Sequence, residues 1–144
     1  MDKILVDTNV VLDLLAKRTP FLIEAQELFT LADKERLQLY VSSLTFANTY
    51  YILSQKLKMN DVRKVLRKFK VLVKVLAMDD KIIDLALDSD FKDFEDAIQY
   101  YTAIENNIEM IITRNLKDFK SAKIPVLTAK NYLKINTLRF KDIT

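Results

Sequence analysis

The chain has 144 residues, half of them hydrophobic, a net charge of only +3, and no cysteine, histidine or glycine. Its length and apolar content fit one compact domain over 1–144. The absent residues remove disulfides and thiolate sites, the imidazole base and the Ser-His-Asp triad, and the glycine loops that cradle phosphates, leaving carboxylates, amides, hydroxyls and lysines, a set suited to hard oxygen-ligated cations rather than zinc.

In chain order, a strand over about 3–7 contains Ile4-Leu5-Val6 and runs into Asp7-Thr8-Asn9, after which a helix begins at Asn9. It delivers a carboxylate to the carboxyl end of a buried strand, the edge where open α/β sheets place ligand chemistry. A second helix is predicted from Pro20, with Phe21, Ala25, Leu28, Phe29 and Ala32 at helical spacing. Leu37–Ser42 reads as a strand, Leu44–Leu57 and Asn60–Lys70 as helices, and Val71–Leu76 as a β-branched third strand. Helices follow at Asp79–Leu87 and Asp93–Asn106, then a strand at Glu109–Thr113, a short strand at Pro125–Leu127 and a helix from Thr128. Strands separated by helices predict an α/β fold whose parallel sheet is covered on both faces. No apolar run reaches the roughly 18 residues of a membrane span, and Met1-Asp2-Lys3 leads into a strand rather than a signal sequence, so the expected location is the cytoplasm.

Charge is unevenly distributed. From Lys56 to Lys74 eight bases (Lys56, Lys58, Arg63, Lys64, Arg67, Lys68, Lys70, Lys74) face Asp61, a balance of +7; from Asp79 to Asp96 eight acids face Lys81 and Lys92, a balance of −6. A basic stretch beside an acidic one suits a polyanion held while a cation is gripped nearby, and it equally suits a solvated helix face.

Asp7 ends the first strand, Asp96 lies in the first turn of the helix before the fourth strand, and Thr113, Asn115 and Asp118 follow that strand. Short right-handed crossovers bring the ends of adjacent parallel strands together. Carboxylates so gathered repel one another, and a cation relieves that repulsion. Each residue also has a structural reading. Asp93 suits a helix N-cap, with Asp96 at the third helical position; Thr8 and Asn9 are ordinary capping types; Asp118 suits a turn; Asp13 fits the surface of the first helix, paired with Lys17 at i+4.

Together, Asp7-Thr8-Asn9-Val10-Val11-Leu12-Asp13, Val41-Ser42-Ser43-Leu44-Thr45, Asp96-Ala97 and Thr113-Arg114-Asn115 with Lys117-Asp118-Phe119 resemble the PIN domain, in the small form found as VapC-type toxins of toxin–antitoxin pairs. The resemblance runs over about residues 3 to 134. It implies a three-layer α/β/α sandwich with a central parallel sheet and Mg²⁺- or Mn²⁺-dependent endoribonuclease activity. By the same resemblance Asp7 matches the first acidic ligand and Asp96 the acid opening the later helix. Asn115 stands where the family has Asp or sometimes Asn, and Asp118 and Asp93 are close enough to support or substitute. Thr8, Asn9, Ser43 and Thr113 match polar positions that orient ligands, water or phosphate. Arg63, Lys64, Arg67, Lys68 and Arg114 would neutralise RNA phosphates, and Tyr50, Tyr51 or Tyr100 would stack bases or else extend apolar helix stripes. The resemblance further implies a homodimer and an antitoxin lying on exposed apolar helix surface, for which Val11, Leu14, Leu15, Phe21 and Leu22 are candidates, core packing being the other reading.

One departure stands out: Asn48 occupies the position of the usual glutamate, and Leu44–Leu57 holds no acid at all. With Asn48 and Asn115 both neutral, a catalytically decayed RNA-binding or scaffold module is the alternative to a nuclease. A phosphotransfer domain with Asp7 as nucleophile is a third reading, one that needs a second Asp where Asn9 stands.

Overall fold

β1 (Asp2–Val6), β2 (Leu37–Ser42), β3 (Val73–Leu76), β4 (Met110–Ile112) and β5 (Val126–Leu127) pair in parallel in the order β3-β2-β1-β4-β5. The computed structural model describes residues 1–143, with side chains through Leu138; Thr144, the last residue of the domain span expected from sequence, lies outside the described residues. The helices are α1 (Thr8–Leu15), α2 (Leu22–Asp33), α3 (Ser43–Ser54), α4 (Met59–Lys70), α5 (Asp80–Leu87), α6 (Phe94–Glu105) and α7 (Ala129–Ile143), with a 3-10 turn at Leu116–Phe119.

Strand alternation sorts the core into two layers. Ile4 and Val6 of β1 and Ile112 of β4 face Val10, Val11, Leu28, Phe29, Phe69 and Tyr132, so α1, α2, α4 and α7 cover one face. Leu5 and Ile111 point the other way, onto Tyr100 and Ala103 of α6, with Phe119 beside them. α5 packs on α6 through Ile82, Ala86, Ala97 and Ile98. The expected three-layer α/β sandwich is thus present. Among the described residues no helix is long and apolar enough to cross a membrane.

Several boundaries differ from the sequence reading. The second helix starts at Leu22 rather than Pro20, which sits on a cis peptide bond with Thr19. β3 starts at Val73 because the amides of Val71 and Leu72 are still tied to Lys68 and Phe69, closing α4. The 3-10 turn, unforeseen, seats buried Phe119 beneath β4 and β5.

A chain without glycine must end its helices on ordinary residues. Lys17, Glu35 and Asn107 take φ of 52°, 58° and 56° just past α1, α2 and α6. At α2 the Glu35 amide donates to the Ala32 carbonyl and the Arg36 amide to the Leu31 carbonyl, the double bond of a Schellman cap. A side chain there costs about 1 kcal/mol that glycine avoids. Glu35→Gly is therefore expected to raise stability by roughly 0.5–1 kcal/mol, read by urea denaturation with an unchanged m-value.

Candidate active site

The strand order reverses beside β1. β2 and β3 build outward on one side and β4 returns on the other, so the crevice beyond the carboxyl ends of β1 and β4 is a topological switch point, where open α/β sheets bind ligands. Asp7, the first residue past β1, stands at that point and is only 4% exposed. Its amide donates to the Ile112 carbonyl at 2.9 Å, extending the β1–β4 ladder. Its side chain caps α1, accepting the Thr8 N–H on Oδ1 at 2.8 Å, while Oδ2 accepts the Thr113 hydroxyl at 2.7 Å across 106 residues of sequence. Burial pushes the Asp7 carboxyl above its ordinary value; the Thr113 and Thr8 hydrogen bonds oppose this, and the charges of Glu95 and Asp93 add to it.

Asp96 enters from the opposite layer. Asp93 is the N-cap of α6 and its Oδ1 accepts the Asp96 amide at 3.1 Å, so the capping read from sequence is present and fixes the first turn. Burial raises the Asp96 carboxyl to about 7, helped in turn by the charges of Asp7, Asp93, Asp118 and Glu95. The fold thus brings Asp96 within electrostatic reach of Asp7. Asp118 is exposed in the 3-10 turn, and half-buried Asn115 precedes it, its amide donating to the Thr113 hydroxyl at 3.1 Å.

The donor set is all oxygen. Among the described residues no three acidic side chains stand close enough to enclose an ion. What the fold offers is two buried carboxylates whose mutual charge is uncompensated, ringed by the exposed acids Asp93, Glu95 and Asp118. That does not make an all-protein cage. It does fit an ion that keeps several waters and binds through one or two carboxylates plus substrate phosphate, as Mg²⁺ does.

Other expected site residues are used differently. Ser43 stands at the same edge, but its hydroxyl accepts the Met78 amide at 3.1 Å and ties down the segment after β3. Asn48 is half-buried on α3 and Asn9 half-buried on α1. Asp13, expected at the surface or paired with Lys17, is instead buried, and its Oδ2 accepts Nε of Arg114 at 2.8 Å. Burial raises its carboxyl despite that partner. The cause is tertiary: residue 13 shares the inward face of α1 with Val10, and β4 delivers Arg114 beside it. Arg114, expected on phosphate, is held by Asp13 and lies over the Phe21 ring at 4.1 Å. The α4 bases Arg63, Lys64, Arg67 and Lys68 are all exposed. Two residues, 71 and 72, separate Lys70 from β3, and Lys68 lines a groove with Asp33 and Leu72, so the end of this helix lies at the sheet edge opposite the crevice. Tyr100 is buried against Phe91 and Tyr101, Tyr50 packs on the Leu53, Val62 and Leu66 cluster, and Tyr51 is 68% exposed. Val11 is core, not surface.

The sequence reading gave no role to two residues at the crevice, Gln99 and Thr45, although Thr45 closes the motif Val41-Ser42-Ser43-Leu44-Thr45. Thr45 on α3 and Gln99 on α6 meet Thr8 in a buried polar cluster: Thr8 Oγ1 and Thr45 Oγ1 are 2.9 Å apart, and the Gln99 amide donates to Thr45 Oγ1 at 3.1 Å and to Thr8 Oγ1 at 3.4 Å. The available signal was a glutamine inside the otherwise apolar stripe Ala97, Ile98, Tyr101 and Ile104.

Residues 3–117 match the family model described as PIN domain. The chain is 30% identical over 135 residues to Ribonuclease VapC1 of Aquifex aeolicus, covering 91% of this chain and 93% of that protein. Among solved structures it is similar to VapBC2 of Rickettsia felis bound to a promoter DNA fragment (TM-score 0.65, 20% identity, 87% of this chain and 96% of that one). It is also similar to a toxin–antitoxin complex of Klebsiella pneumoniae (TM-score 0.63, 27% identity, 87% and 96%). A further similar structure is VapC20 of Mycobacterium tuberculosis, a sarcin-ricin loop cleaving toxin (TM-score 0.59, 16% identity, 75% and 86%).

Proposed function

Because this chain belongs to the PIN domain family, we propose that it is a divalent-metal-dependent endoribonuclease and the toxin of a type II toxin–antitoxin pair, working as one domain over 1–144 in the cytoplasm. The observation that carries the reading is the presence of two buried carboxylates, Asp7 and Asp96, at the switch point of a parallel sheet, with burial and the Asp7 charge raising the proton affinity of Asp96. Relatives named as a ribonuclease and as members of antitoxin complexes support it. A homodimer and a cognate antitoxin are the expected assemblies.

Asp7 and Asp96 would hold Mg²⁺ or Mn²⁺, with Asp93, Asn115 or Asp118 assisting. When bound, the ion supplies charge neutralisation at the scissile phosphate and a more acidic water. The protein's part is orientation. The Thr113 hydroxyl and Thr8 amide each donate to one oxygen of Asp7 and fix the plane of its carboxylate, and Asp93 fixes the turn carrying Asp96. Addition of water to phosphorus as the P–O3′ bond breaks leaves a 5′-phosphate and a 3′-hydroxyl. Arg63 and Lys64, nearer the start of α4, would neutralise flanking phosphates, and exposed Tyr51 would stack a base.

The test is cleavage and binding of a labelled single-stranded RNA with EDTA and after adding back Mn²⁺ or Mg²⁺. Cutting is expected only with metal. Cutting that persists in EDTA would overturn metal dependence, and binding without cutting at any metal concentration gives the scaffold reading, for which neutral Asn48 is the motivating observation. Arg63→Ala with Lys64→Ala is expected to lower the slope of log affinity against log salt by roughly 1–1.5, at about 0.7 per single-strand phosphate contact. Lys68→Ala with Lys70→Ala, at the far sheet edge, is expected to leave that slope unchanged.

A further inference from the structure

We propose that Gln99 is a positioning residue which, through Thr8 and Thr45, holds the Asp7 and Asp96 carboxylates at a fixed separation. The inference rests on the nuclease reading and deepens it. Thr8 directly follows Asp7, and Gln99 lies one helical turn after Asp96 on the same side of α6, since positions i and i+3 share a face. Thr45 lies one turn before Asn48 on α3. One amide therefore ties α6, which carries Asp96, to α1, which Asp7 caps, and to α3, which carries Asn48.

Packing alone does not account for a glutamine here. Gln99 is 1% exposed, Thr45 is fully buried, and Gln99 Oε1 has no hydrogen-bond partner among the described residues. A buried amide left half-satisfied costs stability, whereas leucine at such a position is often neutral or favourable. The cluster makes sense if it opposes a force. Asp7 and Asp96 repel each other, and an uncharged tie resists their separation without adding a charge that would compete for a cation.

The experiment uses the full chain with Gln99→Leu, Thr45→Val and Thr45→Ser. Three quantities are read: Mn²⁺ affinity from the signal of free Mn²⁺, amide hydrogen exchange of the metal-free protein, and kcat and KM on an RNA oligonucleotide. Gln99→Leu and Thr45→Val are expected to weaken Mn²⁺ binding about 10-fold, in the range found when residues that orient metal ligands are lost. They should also speed exchange several-fold in the first turns of α1 and α6 but not in β2, and lower kcat about 10-fold with KM within twofold. Thr45→Ser keeps the hydroxyl and should behave as the parent. Parent-like exchange and parent-like Mn²⁺ affinity in Gln99→Leu would overturn the proposal; if that variant fails to fold, the Thr45→Val and Thr45→Ser pair decides on the same readouts. A parent that binds no Mn²⁺ sinks the nuclease reading instead, and the exchange data then judge the tie by themselves.

Discussion

Asp96→Asn is expected to lose RNA cleavage by at least roughly 10²–10³-fold, as removal of a group that stabilises transition-state charge does, and at the same time to make the metal-free protein more stable at pH 8. The second half follows from the raised carboxyl. Folded Asp96 binds its proton up to about pH 7, against an ordinary value of 3.8. Between those limits the folded chain holds a proton that the unfolded chain has released, so rising pH destabilises the native state. The penalty is complete above pH 7 and fades as pH falls toward 4. Asparagine, neutral throughout, escapes it. After discounting for solvent screening, the gain at pH 8 is on the order of 1–2 kcal/mol, a rise in Tm of about 3–6 °C. Thermal melts of both proteins at pH 8 and pH 4 check this. Equal melting temperatures at pH 8 would show that neither burial nor the neighbouring charges penalise the Asp96 carboxylate, and the ion-binding argument would lose its basis. Adding Mn²⁺ should raise the Tm of the parent and not of the variant, because only an ion bound to the folded state stabilises it.

Asp7→Asn is expected to fold normally, bind RNA with an affinity within about threefold of the parent, and cut it at least roughly 10²–10³-fold more slowly. Folding survives because asparagine is as good an N-cap as aspartate. Its carbonyl oxygen can accept the Thr8 amide while its NH₂ donates to the Thr113 hydroxyl, replacing both bonds that Asp7 makes. Loss of cutting with retention of binding is the signature of a group acting in chemistry rather than in recognition. Filter binding and single-turnover cleavage on one RNA measure both. Undiminished cutting by this variant removes Asp7 from the reaction and with it the case for a nuclease of this type.

Local rules reached most of the scaffold. The strand Leu37–Ser42 was legible because leucine and valine alternate with polar residues. The helix carrying Asp96 was legible because Asp93 is both a strong cap and the start of an apolar stripe. Asp7 was legible because it sits where a buried strand turns into a helix. The misses share a physical cause. Asp13 looked exposed because its partner, Arg114, arrives from 101 residues away, and no local pattern signals a charge buried by tertiary pairing. The roles of Thr45 and Gln99 were not legible because their contacts run across three helices distant in sequence. Helix and strand ends moved by a residue or two where carbonyl partners, not side chains, decide the last turn.

The bond between Asp7 and Thr113 sets a condition on when the molecule works. β1 is made first and β4 late, yet β4 lies directly against β1 and carries in both Thr113 and Arg114. A nascent polypeptide still lacking β4 leaves β1 as a sheet edge, with the Asp7 side chain short of its hydroxyl donor. The crevice beside Asp7 is therefore incomplete until the fourth strand has been made and has paired with the first.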